Sequence, residues 1–269
     1  MLNTKTLHPI RINNLKRIGR DNDGGYIIPK LIIDKCDGLL SYGINKDWSF
    51  EIDFLKRKKN INVHCYDHTL DLLSLLKFTF KSILLCFVYL IILDKIRLKK
   101  SIYGLSIIQS YLNFFTDSTK HFRKRIWNVN KGNDVTVKNT INKIYSEGSK
   151  NIFIKMDIEG AEFKVLEKLD YSKVNILGLA IEFHDINLKE KEFNRIIIYL
   201  KKIFYIAHVH GNNFSKVDNI SKFPSSVEIT FINKKLIKGK IRKSEKKYPI
   251  NGLDQPNKHS KPDIHLSFN

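Results

Sequence analysis

The chain has 269 residues, 42% of them hydrophobic and 11% aromatic, enough apolar material to bury a sizeable core, so a disordered or collagen-like polymer is excluded. Lys and Arg outnumber Asp and Glu by 47 to 27, a net charge of +20. An excess of this size points to an anionic partner: nucleic acid, a membrane surface or an acidic substrate. The charge is unevenly spread, with 11 basic and 2 acidic side chains in residues 72–131 and 8 and 1 in residues 234–247.

The three cysteines, Cys36, Cys65 and Cys86, are far apart and form no CxxC pair, which leaves no cysteine zinc site. The first residues, MLNTKTLHPI, lack the charged-then-apolar layout of a secretory signal. Together these predict a reducing, cytoplasmic setting, with a peripheral place at the inner face of a membrane as the variant.

In chain order, Asp23-Gly24-Gly25 lies between two short apolar runs, which predicts a β-hairpin over residues 15–28. DGLLSYG (37–43) reads as a strand ending on a glycine turn, the following DWSFEIDFLKRK as a helix with Trp48, Ile52 and Leu55 on one face, and INVHCYD (61–67) as a second strand. From Leu72 to Leu93 the only charges are Lys77 and Lys81, a length close to the roughly 20 apolar residues of a spanning helix. A second apolar stretch, 101–115, follows the basic link KIRLKK. Two readings remain open here: an inserted helical hairpin packed on its own domain, or an interfacial contact with an anionic membrane.

The second half alternates regularly. Strands are predicted at 151–157, 176–184, 204–210 and 226–233, with helices at 161–169, carrying Phe163, Leu166 and Leu169 on one face, and across LKEKEFNRIIIYLKKI. The rhythm predicts an α/β fold: a Rossmann-like, doubly wound and mostly parallel sheet forming a single domain over 1–269 with an insertion at 72–126. The basic run at 234–247 is read as a solvated hairpin and the proline-containing LDQPNKHSKPD as a loop without chemistry.

In such sheets ligands bind beyond the carboxyl ends of the strands. The strand endings therefore nominate Ser41-Tyr42-Gly43, Asp67-His68, Asp157-Ile158-Glu159-Gly160, Glu182-Phe183-His184-Asp185 and His208-Val209-His210-Gly211-Asn212. Alternation along a strand puts Glu182 with His184, and His208 with His210, on shared faces. An acid ending the second strand some 24 residues after a glycine turn suits ribose hydroxyls. The single glycine of SYGINKDWS cannot build a pyrophosphate cradle, which favours an adenosyl ligand without phosphates, S-adenosylmethionine being the common one.

KMDIEGAEFKVLEKL followed by LAIEFH, with RIGRDNDGGYIIP, LLSYGINKDWSFEIDF, CYDHT and LDQPNKHSKPDIHLSF, resembles the FkbM-type S-adenosylmethionine-dependent methyltransferases, in a branch found among surface-glycan biosynthesis proteins. The resemblance implies a class I methyltransferase fold and O-methylation of a sugar or glycan hydroxyl; a free, nucleotide-linked or lipid-linked acceptor stays open, and only the apolar insertion points to the last. It implies that Ser41, Gly43, Asp67, His68 and Asp157 hold the cofactor, and that Glu162 in the helix's first turn serves the helix dipole. An acceptor hydroxyl needs a base: His184 is the first choice and His210 the second, with Glu159, Glu182 or Asp185 to orient an imidazole or bind sugar hydroxyls. A divalent metal is not expected; its alternative ligand set is Asp157, Asp185 and His210. Two other functions compete: a degenerate methyltransferase-like protein that binds membrane or nucleic acid through its basic segments, although for nucleic acid those runs lack interleaved stacking aromatics, and an RNA methyltransferase that uses the same charge and is separated from the first reading by substrate competition.

Overall fold

The computed structural model describes residues 2–167 and 175–268. A hairpin of β1 (Leu15–Ile18) and β2 (Tyr26–Pro29) leads through α1 (Lys30–Lys35) into the central sheet, whose first strand is β3 (Gly38–Tyr42). There follow α2 (Ser49–Arg57), β4 (Asn62–Tyr66), three helices α3 (Leu72–Ile91), α4 (Lys95–Leu105) and α5 (Ile107–Phe114), and β5 (Thr119–Phe122). The short pair β6 (Arg125–Ile126) and β7 (Asp134–Val135) precedes α6 (Val137–Ser146), β8 (Ile152–Met156) and α7 (Glu162–Leu166). The chain closes with β9 (Ile176–Phe183), α8 (Glu190–Leu200), β10 (Phe204–Gly211) and β11 (Val227–Asn233).

The seven-stranded sheet has the order β10-β11-β9-β8-β3-β4-β5. β5, β4, β3, β8 and β9 are parallel, whereas β11 runs antiparallel between β9 and β10. Strands buried on both faces need near-continuous apolar runs, and IFIKM of β8 and ILGLAIEF of β9 are buried throughout. Alternation sends Leu40, Ile154 and Met156 into one core with α6 and α8, and Leu39 and Phe153 into the other with α1 and α2. Helical spacing does the matching work: Val137, Thr140, Ile141 and Ile144 of α6 and Phe193, Ile196, Ile197 and Leu200 of α8 are the buried positions. This is the doubly wound α/β fold that the alternation predicts.

Several boundaries differ from the sequence reading. β5 and β6 fall inside the stretch 72–126 read as an insertion, yet β5 is the edge strand of the main sheet, paired with β4. The helical part ends at Phe114. The basic link KIRLKK is the first half of α4, and the apolar stretch 101–115 breaks at Ser106 into the end of α4 and all of α5. The run 234–247 is not a hairpin: after a short 3-10 turn at Lys234–Leu236 it extends along the N-terminal segment, where Arg11 N–H donates to Arg242 and Ser244 N–H to Pro9. The helix predicted over 161–169 is observed from Glu162 to Leu166; Leu169 lies outside the described residues.

Gly43 fixes the upper edge of the sheet. Its φ is +75°, and a Cβ there would sit 1.6 Å from the carbonyl oxygen of Asp157. The exits of β3 and β8 are therefore in backbone contact, tied by Asp157 N–H to the Tyr42 carbonyl, while Gly43 N–H ties the exit of β3 to the Tyr66 carbonyl at the end of β4. We predict that Gly43→Ala loses roughly 3 kcal/mol of stability, from left-handed strain plus overpacking against backbone. Chemical denaturation measures it, and wild-type stability in the variant would disprove the contact's rigidity.

Candidate active site

Beyond the carboxyl ends of β3, β4 and β8 opens a cleft of about 970 Å³, lined by the Gly43–Asp47 loop, Asp67–Thr69, Asp157–Ala161, the 124–127 segment and the hairpin turn at Arg20, Asp23 and Gly24. Its position follows from topology: the neighbours of β3 leave in opposite directions along the chain, and the loops diverge there. Lys46, Lys124, Lys164 and Lys189 stand on its lining with Asp47, Asp67, Asp157 and Glu159.

Asp67 lines the cleft, and its carboxylate already accepts four hydrogen bonds. Oδ2 takes the N–H groups of Ile44 (3.0 Å) and Asn45 (2.7 Å), and Oδ1 takes the N–H (2.8 Å) and hydroxyl (2.6 Å) of Thr69. Burial opposes its ionisation, but the Thr69 and Asn45 hydrogen bonds outweigh that and hold its pKa below the usual value. Asp67 thus shapes the loop after β3, where Gly43 and Asn45 both have positive φ. A ribose hydroxyl would have to replace one of the four donors, and the exposed Thr69 hydroxyl is the replaceable one. His68 is exposed on the same lining.

Ser41 does not reach the cleft. Alternation turns its fully buried side chain beneath the sheet's edge, where its hydroxyl donates to Glu51 Oε1. Lys155, paired with Ser41 in register, donates to the Gly43 carbonyl at 3.2 Å and lies 5.6 Å from the Tyr26 ring centroid. Burial works against the Lys155 charge, but Glu51 and Asp157 overcome it and raise its pKa. Ser41, Glu51 and Lys155 are therefore the charged underpinning of the Gly43 turn. In the hairpin beside it, Tyr26 packs edge-on against Phe50, and Arg17 holds the turn by donating to the carbonyls of Asn22 and Arg20.

Asp157 leads a row of charged side chains across four strands. Register pairs Met156 with Ile181, Glu182 with Glu228, and Glu228 with His210, so Asp157, Glu182, Glu228 and His210 lie side by side. Such a row needs counter-charge. His184 supplies it at one end: Nδ1 donates to Glu162 Oε1 at 3.2 Å, and Nε2 lies 3.7 Å from Glu159, 3.7 Å from Glu182 and 3.8 Å from Asp157. Desolvation would lower the imidazole's pKa, but Glu162 together with Glu182 and Asp157 lifts it to about 9. His184 is consequently an imidazolium at neutral pH and no free base.

The carboxyls respond oppositely. Burial pushes Asp157 up to about 6 against the pull of Lys155 and His184, and burial, reinforced by Asp157 and Glu228, pushes Glu182 well above its usual value. Asp157 Oδ1 is buried without a hydrogen-bond partner, while Glu182 Oε1 accepts from Asn212 at 2.6 Å. Asp157 and Glu159 reach the cleft; His184 and Glu182 stand behind them. Glu159, with φ +54°, is 87% exposed at its side chain. Glu162 is fully buried and folds back to accept the N–H groups of Ile158 and Gly160, so it clamps the 158–160 turn rather than serving the helix dipole.

His210 is not available as a base. It is buried between two carboxylates, Nδ1 donating to Glu228 (3.2 Å) and Nε2 to Asp263 (3.0 Å). Burial alone would lower its pKa; the hydrogen bonds to Asp263 and Glu228 raise it to about 10. The metal set Asp157, Asp185, His210 is likewise not assembled. Asp185 sits in a turn with φ +54°, and among the described residues the donor atoms that do cluster, within 4.8 Å of one another, belong to Asp157, Glu182 and His184. There the imidazolium already provides the positive charge.

The strand-end reading nominated Asn212, whereas it passed over Glu228, Asn257 and Asp263. The last two belong to the tail read as a plain loop, yet Asn257 donates to Glu228 Oε1 at 2.6 Å, and Asn22 in the hairpin donates to the Pro256 carbonyl at 2.9 Å. The tail therefore straps the hairpin to the charged row.

Two measurements follow. Because the folded pKa of His210 exceeds the ordinary 6.5, its contribution to stability is full below pH 6.5 and is lost as pH rises through about 10. Denaturation midpoints should therefore fall over that window, and Asp263→Asn should flatten the fall. By NMR titration the His184 imidazole should show a midpoint near 9, lowered by about one to two units in Glu162→Gln; an ordinary midpoint in the wild type would overturn the assignment.

The Methyltransferase FkbM domain model matches residues 46–211, from the cleft loop to the end of β10. No curated protein sequence matches the chain. Among solved structures, a fibrillarin/Nop5p complex aligns with TM-score 0.35 and 8% identity over 73% of this chain and 72% of that one. Precorrin-6y C5,15-methyltransferase from Geobacter metallireducens GS-15 aligns with TM-score 0.34 and 9% identity over 76% and 87%. With its domain match spanning more than half of the sequence, the chain belongs to the FkbM methyltransferase family.

Proposed function

We propose that the protein is an S-adenosylmethionine-dependent O-methyltransferase whose acceptor is a hydroxyl of a sugar or glycan. The cleft lies where the fold offers a ligand site, and its volume, about 970 Å³, admits an adenosyl group together with an acceptor. The Gly43–Asn45 backbone, Thr69 and His68 would hold the adenosine part, with Asp67 fixing the loop beneath it, and Asp157 would face the methionine part. When bound, the cofactor supplies an electrophilic methyl group on a sulfonium. The protein's tasks are alignment, exclusion of water and management of the acceptor's proton.

The observation that carries the reading is Asp157. It lines the cleft, has a buried oxygen without a hydrogen-bond partner, and titrates at about 6. A base works best with a pKa near the operating pH, so Asp157 rather than His184 accepts the proton of the acceptor hydroxyl. His184, held as imidazolium, keeps Asp157 and Glu182 from repelling each other. The mixed carboxylate and lysine lining suits a hydroxyl-rich acceptor better than an apolar one.

Calorimetry with S-adenosylmethionine tests cofactor use. Saturation of Asp67 by its own chain favours the competing non-catalytic reading, and an absence of binding heat would select it. For the chemistry, Asp157→Asn should retain cofactor affinity within a few-fold while methyl transfer to a glycan acceptor falls by about 10²–10⁴. In the wild type the rate should decline as pH drops through about 6, since the base must be unprotonated. An unaffected Asp157→Asn variant would refute the assignment.

A further inference from the structure

The α3–α4 hairpin presents an apolar surface that no other described part of the chain covers. Leu73, Leu76, Phe80, Leu84, Phe87 and Ile91 recur at three- and four-residue spacing along the outer face of α3, a stripe about 27 Å long, and all six are exposed. Only 11% of the helix's most apolar window is buried, whereas a core helix of this composition buries most of its surface. At the far end the chain turns through Ile91, Ile92 and Leu93 before α4, with Ile91 and Leu93 each 81% exposed.

The hairpin is nevertheless built, not loose. α3 starts with a capping box in which Asp71 and Ser74 exchange hydrogen bonds. At its root the two helices touch: a Cβ on Gly104 would lie 1.9 Å from Ser82 Oγ, and Thr79 donates to the Gly104 carbonyl. Leu75 and Ile107 are fully buried in the core shared with Trp48. Such a rigid arm carries its apolar stripe at a standing cost unless something covers it.

We propose that this hairpin docks the protein on an anionic lipid bilayer, its tip and the outer face of α3 entering the interface. Charge selects this occupant. Residues 72–115 hold six basic side chains and one acidic, and Lys95, Arg97 and Lys99 are exposed immediately after the apolar tip. Cations next to exposed Ile and Leu match headgroup phosphates above acyl chains. The same cations disfavour two other arrangements. Pairing with a second copy would bring like charges together, and a hairpin crossing the bilayer would carry the cations of α4 into hydrocarbon.

The consequence reaches the cleft, and this step rests on the methyltransferase reading. The Tyr103 hydroxyl at the hairpin root donates to the carbonyl of Lys46, and the Lys46 ammonium stands 5.7 Å from the Phe78 ring. Lys46 itself lines the cleft. A docked hairpin therefore holds the cleft beside the lipid surface, and the acceptor is a hydroxyl-bearing headgroup or glycan attached to a lipid anchor.

Co-sedimentation of the full chain with phosphatidylcholine vesicles, with and without phosphatidylglycerol, tests the docking. We expect binding to the anionic vesicles and much weaker binding to the neutral ones. Replacing both tip residues (Ile91→Asp with Leu93→Asp) should reduce partitioning at least about tenfold. Lys95→Gln and Lys99→Gln should each reduce it roughly fivefold, on anionic vesicles only. These side chains are exposed, so unchanged thermal melting of each variant is expected. The proposal is overturned if the wild type ignores anionic vesicles or if the tip variant binds as well as the wild type. It is equally overturned if sedimentation velocity without lipid shows a dimer that the tip substitutions dissociate. Calorimetry with S-adenosylmethionine on the wild type keeps the two readings apart: cofactor binding without vesicle binding removes the docking alone, and the reverse removes the enzymatic reading alone.

Discussion

A row of ionisable side chains across four neighbouring strands is the constraint from which the rest of the site follows. Asp157, Glu182, Glu228 and His210 are adjacent by backbone register, and carboxylates at such spacing under little solvent cannot all ionise without compensation. The structure answers at both ends. His184 is drawn among Asp157, Glu159, Glu162 and Glu182, and His210 is clasped by Glu228 and Asp263. Amides fill the remaining valences: Asn212 on Glu182 and Asn257 on Glu228. The C-terminal strap is thus part of the electrostatics, because without Asn257 and Asp263 the row loses two of its partners.

Compensation also sorts the residues by role. An imidazole that balances several carboxylates is raised and stays charged, so it stabilises other groups instead of exchanging protons at neutral pH. The carboxyl it balances is left close to neutrality, where proton transfer is easiest. Asp157 alone in the row both titrates near 6 and opens on the cleft. The division recurs beneath the Gly43 turn. There Lys155, its charge favoured by Glu51 and Asp157 against burial, gives its hydrogen bond to the Gly43 carbonyl, so a buried cation stiffens the loop that Asp67 gathers from above.

Strand endings were a good guide to this region because a parallel sheet delivers all its carboxyl ends to one edge. That logic reaches Gly43, Asp67, Asp157, Glu182 and His184 from sequence. It fails at Glu228, which begins its strand: β11 runs antiparallel, and only that reversal brings its first residues to the same edge. It fails at Ser41 for a different reason, since alternation along β3 turns the side chain toward Glu51 and away from the cleft. β5 escaped notice because TKHF has neither the length nor the apolar content of a core strand, and its identity comes from pairing with β4. Asn257 and Asp263 sit in an aperiodic, proline-containing tail, where no local pattern marks long-range contacts. Each failure is tertiary in origin, a matter of pairing or facing that single-chain periodicity does not encode.

The helices between β4 and β5 bring the two halves of the molecule's chemistry into contact. A plain crossover between neighbouring parallel strands needs only one helix, and α5 fills that place, with Ile107 buried and Ser110 accepting from the Trp48 indole at 3.1 Å. The α3–α4 arm is therefore additional to what the sheet requires. Its root is fastened to the loop that forms one wall of the cleft, through the Tyr103 hydroxyl on the Lys46 carbonyl. An element that adds exposed apolar surface, contributes little to the core and is fixed rigidly to the rim of the site is placed to decide where the site sits rather than how it reacts. In the function and docking proposed above, chemistry is governed by the charged row behind Asp157 and access by the arm beside Lys46, with the Gly43–Asp47 loop as the shared piece of backbone between them.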